Sequence, residues 1–255
     1  MQRITVLALA ALTALGAGSA NSEGDVGPAF ATFSAVGDSD AVAQAADSFR
    51  TALGGFLLAP AVGPSDSGRR EINWDGIPAA LANVDTFPAG FFNANSMRGA
   101  VFATTGTGFR IDSSTFGGLN GTYPAQFHAF SPKKLFMPVG SNTMEVLFHR
   151  SGLATAGLVN GFGVIFSDVD RQGSTRIDFF DQDEHLLGSV TAPAHASAHE
   201  FSFVGAVFPA SVVSRVFIVS GDSALSGTSN DISVEGTKDL VTMDDFIYGE
   251  PQPVP

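Results

Sequence analysis

The sequence predicts an all-β protein, a two-sheet jelly-roll sandwich of about ten strands with one short N-terminal helix. Two observations carry this. From Arg69 onward apolar residues recur with a period of two, and clusters of Gly, Pro, Asn and Asp break the pattern at intervals of roughly 8–15 residues. No strand-like run alternates with a helix-period run, so the βαβ classes are excluded.

Each element follows from local chemistry. Ser39-Asp40 offers an N-cap, Val42, Ala45, Ala46, Phe49 and Leu53 recur at helical spacing, and Gly54-Gly55 stops the run; a helix is expected over 40–53. Residues 21–38 are small and acidic and read as a loosely ordered start, and 59–68 (APAVGPSDSG) reads as a linker or surface loop. A hairpin is expected over 100–111 around Thr105-Gly106-Thr107-Gly108, then strands at 126–130, 134–138 and 143–149. Alternation continues at 162–166, 175–179, 186–190, 201–207, 212–219 and 240–248, with Asp181-Gln182-Asp183-Glu184 as a tight connection between paired strands. The organisation is then a signal peptide over 1–20, an N-terminal acidic segment over 21–68, a β-sandwich domain over 69–250 and a Pro-rich tail over 251–255.

The start of the chain predicts export. Met1-Gln2-Arg3 is a short positive region, 4–16 (ITVLALAALTALG) an apolar run, and Gly18-Ser19-Ala20 places small residues before a cleavage point. The apolar run falls short of the ~20 residues a membrane span needs. Localisation is therefore expected to be secreted, with no membrane insertion.

Composition narrows the chemistry. The chain has no Cys, which removes disulfides and thiolate metal sites from consideration. Its formal net charge of −12 opposes binding to nucleic acid and suits divalent cations. Phe is abundant, 23 residues against one Trp and two Tyr, so the aromatic content favours a core over a sugar-stacking surface.

Two acidic segments stand out. In 68–76 (GRREINWDG), a strand would align Glu71, Asn73 and Asp75 on one face and Ile72 and Trp74 on the other. Three oxygen-bearing side chains in a row suit a hard cation such as Ca²⁺. In the last strand, alternation puts Asp245 with Val241, Met243 and Ile247, and Asp244 with Leu240, Thr242, Phe246 and Tyr248, so one carboxylate is drawn toward an apolar layer. Such a group demands a cation, an arginine or a proton; Arg69, Arg70 and Arg98 are the candidate arginines. The expected metal set is Glu71, Asn73, Asp75, Asp244 and Asp245 around one structural Ca²⁺ joining the first and last strands, and Trp74 and Tyr123 are the candidate ligand-binding aromatics. The acids from Asp168 to Asp183 are a poorer second candidate, expected at hairpin ends. His195 and His199 have i,i+4 spacing but follow a Pro between strands, which favours a loop.

The segments GRREINWDG, FFN at 91–93, GTGF at 106–109, FSP at 130–132, GFGVIFSDVD at 161–170 and MDDFIYGEP at 243–251 resemble a group of exported bacterial proteins. That resemblance runs from about Asp40 to Pro251 and implies the fold and the location, with no substrate. The DDF of the last strand also resembles the final strand of jelly-roll carbohydrate-binding modules, where an aspartate shares a structural Ca²⁺ with an early-strand acid. Carried over by position, this implies Asp244 or Asp245 acting with Glu71 or Asp75.

Three functions compete at this level. The first is a secreted, non-catalytic module, Ca²⁺-stabilised, that binds extracellular glycan or serves in an extracellular matrix. The second is a glycoside-active enzyme using Glu71 and Asp75, although Asn73 stands where the E-x-D-x-x-E strand of jelly-roll glycosidases has its middle acid. The third is a purely structural surface protein. No catalytic residue is assigned, and oligomeric state is not legible.

Overall fold

The computed structural model describes residues 28–195 and 200–255; the segment over 1–20 that is expected to be a signal peptide, and His199, lie outside them. Strand β1 (Ala31–Gly37) and helix α1 (Ser39–Leu53) come first, followed by β2 (Arg69–Ile72), the short α2 (Phe91–Ala94), β3 (Ala100–Ala103), β4 (Gly108–Asp112), β5 (Leu135–Val139) and β6 (Thr143–Phe148). After them come β7 (Gly157–Leu158), β8 (Gly161–Ser167), β9 (Arg176–Phe180), β10 (Leu186–Thr191), β11 (Phe201–Val207), β12 (Arg215–Val219), β13 (Thr242–Gly249) and β14 (Gln252–Pro253).

Two large antiparallel sheets result, and β14 pairs with β7 as a separate two-stranded sheet. The larger has the order β1-β11-β8-β13-β5-β4, with β2 pairing to β13 on the side where β5 also pairs; the smaller has the order β10-β9-β12-β6-β3. Aromatic rings cross between them: Phe102 of β3 meets Phe136 of β5 at 5.3 Å, and Phe148 of β6 meets Phe162 of β8 at 5.9 Å. The two inner faces therefore form one core, and the chain is an all-β sandwich.

The two sheets differ in what covers their outer faces. Strands β6, β9 and β12 alternate buried and half-buried residues, as a one-sided sheet must. Strands β8 and β13 are buried throughout, because α1 lies on the outer face of the larger sheet. Asp38 caps that helix by accepting from the Ala41 N–H at 3.0 Å, and Gly54, at a φ of 77°, ends it. Its apolar stripe of Val42, Ala46, Phe49 and Leu53 packs on Ile165, Phe201, Phe203 and Ile247. Phe49 sits over two glycines: a Cβ on Gly205 would lie 2.9 Å from its ring, and one on Gly163 would lie 3.1 Å away. Burying one such Phe contributes about 1.5–3 kcal/mol.

Several expectations need correction. Ala31–Gly37 is no loose lead-in but an edge strand in register with β11 over its whole length. Its run of small residues hides it, since packing comes mainly from the neighbouring strand and helix. The expected hairpin over 100–111 is instead a crossing between sheets, β3 pairing with β6 and β4 with β5. Gly106 sits so close to the Val139 carbonyl that no side chain would fit, which fixes the chain's path there. No strand forms at 126–130; a 3-10 turn over Tyr123–Ala125 precedes a non-repetitive segment. The 59–68 stretch is the expected surface loop, and buried Arg70 ties it down, donating to the carbonyls of Ala59 (3.1 Å) and Gly63 (2.9 Å) and pairing with buried Glu250.

Candidate functional site

Strands β2 and β13 run antiparallel, with Ile72 opposite Phe246 and Glu71 opposite Ile247. Glu71 and Asp245 thus both approach Arg50 of α1. Arg50 donates to both oxygens of Glu71, from Nε and Nη2, each at 3.0 Å, and its Nη2 lies 3.9 Å from Asp245 Oδ2. Arg69 adds a bond to Glu71 Oε1 at 3.0 Å. Asp47 completes the group from the helix, 2.8 Å from Arg50 Nη1.

The expected alternation in β13 is broken between Met243 and Phe246. Met243 pairs with Phe166 and Phe246 with Val164, so β13 carries one residue more than β8 over this step. Met243 and Phe246 both enter the core, and the bulged Asp244-Asp245 pair is displaced from it. Asp244 is fully buried: Oδ1 accepts the Ser131 hydroxyl at 2.8 Å, Oδ2 accepts the Phe130 N–H at 2.6 Å, and its carbonyl accepts Trp74 Nε1–H at 2.8 Å. The segments FSP, INWD and MDDF thus converge on this bulge. Burial, and then the charge of Asp245, push the Asp244 carboxyl well above the usual carboxylate range. Asp245 is also raised, by burial, with opposing hydrogen bonds from Asp244 and Ser131.

The row Glu71, Asn73, Asp75 does not form. The strand ends at Ile72, Trp74 takes a φ of 63°, Asn73 is exposed and Asp75 turns toward the lysine side. Lys134 Nζ donates to the Asp75 carbonyl at 2.9 Å; burial raises the Asp75 carboxyl, with Lys134 and Lys133 pulling the other way. An arginine holds this seam. The guanidinium of Arg50 holds the place between Glu71 and Asp245, and donors already occupy both oxygens of Asp244. The two candidate ligand-binding aromatics are core residues as well. Trp74 stacks on Phe136 at 4.0 Å and is 1% exposed; Tyr123 is fully buried, its hydroxyl bonded to Ser226 and Ser229. Neither ring is available to a sugar.

A second acidic group forms at the end of the sandwich where β8 runs into β9 and β12 into β13. Asp168, Asp170 and Asp231 each offer a carboxylate oxygen, all within 4.8 Å of one another. Asp168 is 2% exposed, and both of its oxygens lack a hydrogen-bond partner among the described residues. Asp231 accepts the N–H groups of Leu240 and Ser233, each at 2.7 Å. Asp239 shapes the loop from behind, accepting the N–H groups of Asp170 (3.1 Å) and Arg171 (3.0 Å). Burial, reinforced by Asp231, Asp170 and Asp239, pushes Asp168 up to about 8. Burial together with Asp231 pushes Asp170 up to about 7. Asp231 and Asp239 lie more than sixty residues from Asp168, beyond the reach of local pattern. One local signal was present: Asp168-Val169-Asp170-Arg171-Gln172-Gly173 matches the calcium-loop pattern D-x-[DN]-x-[DN]-G except for Gln172 at the fifth position.

The other two acid and histidine candidates are local structures. Asp181 accepts the N–H groups of Asp183 (2.8 Å) and His185 (2.9 Å), shaping the β9–β10 turn. His195 pairs with Glu200 at 2.6 Å. No known family's sequence pattern matches the chain, and no curated protein sequence matches it.

Proposed function

We propose that this chain is a secreted, non-catalytic β-sandwich module with a structural role in an extracellular matrix. The observation that carries the reading is the use of its chemically equipped side chains as fold-building parts. Glu71, the candidate nucleophile or acid of an enzyme, is clamped by two guanidinium groups, and Trp74 and Tyr123 are enclosed by the core. Between glycan binding and matrix structure, the enclosure of those rings favours matrix structure. The strand order supports reading the sandwich as a jelly roll. Taking β5, β6, β8, β9, β10, β11, β12 and β13 as its eight strands gives β5-β13-β8-β11 facing β6-β12-β9-β10. The N-terminal leader supplies the route outward.

The test is cell fractionation combined with glycoside-hydrolysis assays of the wild type and Glu71→Gln. The expected result is accumulation outside the cell, retention inside when residues 1–20 are deleted, and no turnover by either form. Turnover lost in a folded Glu71→Gln variant would instead establish the enzyme.

A further inference from the structure

The geometry points to a Ca²⁺ site formed by Asp168, Asp170 and Asp231. Two oxygens bound to one Ca²⁺ at ~2.3–2.6 Å lie at most ~4.6–5.2 Å apart. The three carboxylates meet that limit among themselves, with oxygens within 4.8 Å. A set made only of carboxylate oxygens selects a hard cation over zinc or copper.

Proximity of acids alone would be weak evidence. The stronger observation is Asp168, whose side chain is almost completely buried, directed into the group, and without a hydrogen bond on either oxygen among the described residues. A buried carboxylate left in that state costs free energy unless a cation or a proton compensates it. The nearby arginine does not supply the cation: Arg171 turns its guanidinium to Asp222 and to the Thr237 carbonyl, 3.1 Å away.

Gln126 adds a second buried polar group without a partner. It is 1% exposed, and neither Oε1 nor Nε2 makes a hydrogen bond among the described residues. It follows Tyr123, which feels the charge of Asp231, and precedes His128, whose N–H donates at 3.0 Å to Ser167, the neighbour of Asp168. Its segment thus borders the loop that carries Asp168. The site would join the β8–β9 loop to the long connection before β13, and it is separate from the Glu71–Asp245 seam.

Calorimetric titration of the full chain with CaCl₂ after EDTA treatment, paired with thermal unfolding, tests this. The expected result is saturable binding with a Kd of about 1 mM or tighter, as in extracellular calcium modules, and a Tm that rises with calcium. Asp168→Asn and Asp170→Asn should each weaken binding roughly ten-fold or more, since affinity follows ligand charge. Glu71→Gln should leave binding unchanged. Absence of both heat and a Tm shift at about 10 mM CaCl₂ overturns the site. Undiminished binding in Asp170→Asn also overturns it, and that variant carries the test if Asp168→Asn does not fold.

Discussion

Arg50 and Glu71 are joined by two parallel hydrogen bonds of 3.0 Å, a fork that fastens the N-terminal helix to the strand paired with β13. Both side chains are mostly but not fully buried, at 19% and 16% exposure. The pair therefore falls between surface pairs, worth ~0–1 kcal/mol, and buried ones, whose breakage costs ~3–5 kcal/mol. Arg50→Ala is expected to lower unfolding stability by about 1–3 kcal/mol in urea titrations. A change below a few tenths of a kcal/mol would show that the clamp does not hold the helix.

The seat of Phe49 gives a sharper test of packing. In Gly205→Ala the new methyl would lie 2.9 Å from both the Phe49 ring and Gly163 Cα. Overpacking of this kind costs about 1–3 kcal/mol. Adding Phe49→Leu should relieve part of that cost, so the double variant is expected to be more stable than the sum of the singles. Strict additivity would argue against contact between these residues.

The Asp244-Asp245 bulge predicts an unusual pH response. Both carboxyls are raised above the ordinary value of 3.8, so the folded chain holds protons that the unfolded chain has released. This contribution is fully present below about pH 4 and is lost as pH rises through the folded values. Asp244→Asn should flatten the decline in stability between about pH 4 and neutrality, measured by denaturant midpoints at each pH. An identical slope in the variant would exclude Asp244 as its source.

Arg70 and Glu250 form a buried ion pair, and Glu250 also accepts the Ser65 N–H at 3.1 Å and the Ser151 hydroxyl at 3.0 Å. Glu250→Ala leaves the Arg70 charge without its partner and should cost about 3–5 kcal/mol. Cleavage of the 59–68 loop by a nonspecific protease should rise in parallel. Unchanged proteolysis would show that the loop is held by its other contacts.

How far the sequence discloses this molecule depends on the range of the contacts involved. Strands such as β6, β9 and β12 are legible because one face meets the core and the other does not, so alternation is written into the residues. Strand β1 is not, because its pairing partner β11 lies some 170 residues downstream and its own residues are mostly small. The meeting of β2 with β13 follows from reading both as strands with acids seeking a partner; the partner itself, Arg50, sits on a helix whose apolar stripe is legible locally but whose resting place on the larger sheet is not. The bulge at Asp244-Asp245 inverts the inferred faces of β13, since period-two reasoning cannot register an inserted residue. For the acidic group at Asp168, the loop pattern was visible, whereas Asp231 arrives through a connection set by the sheet order.

The position of the helix also constrains how the chain acquires its shape. During synthesis α1 is made early, yet the surface it rests on includes Ile247 near the opposite terminus. Its apolar stripe is not fully covered until the final long strand is in place. Such late, distant pairing slows folding and leaves a sticky intermediate exposed, so a chaperone that shields the newborn amino-terminal third would be expected to raise yield.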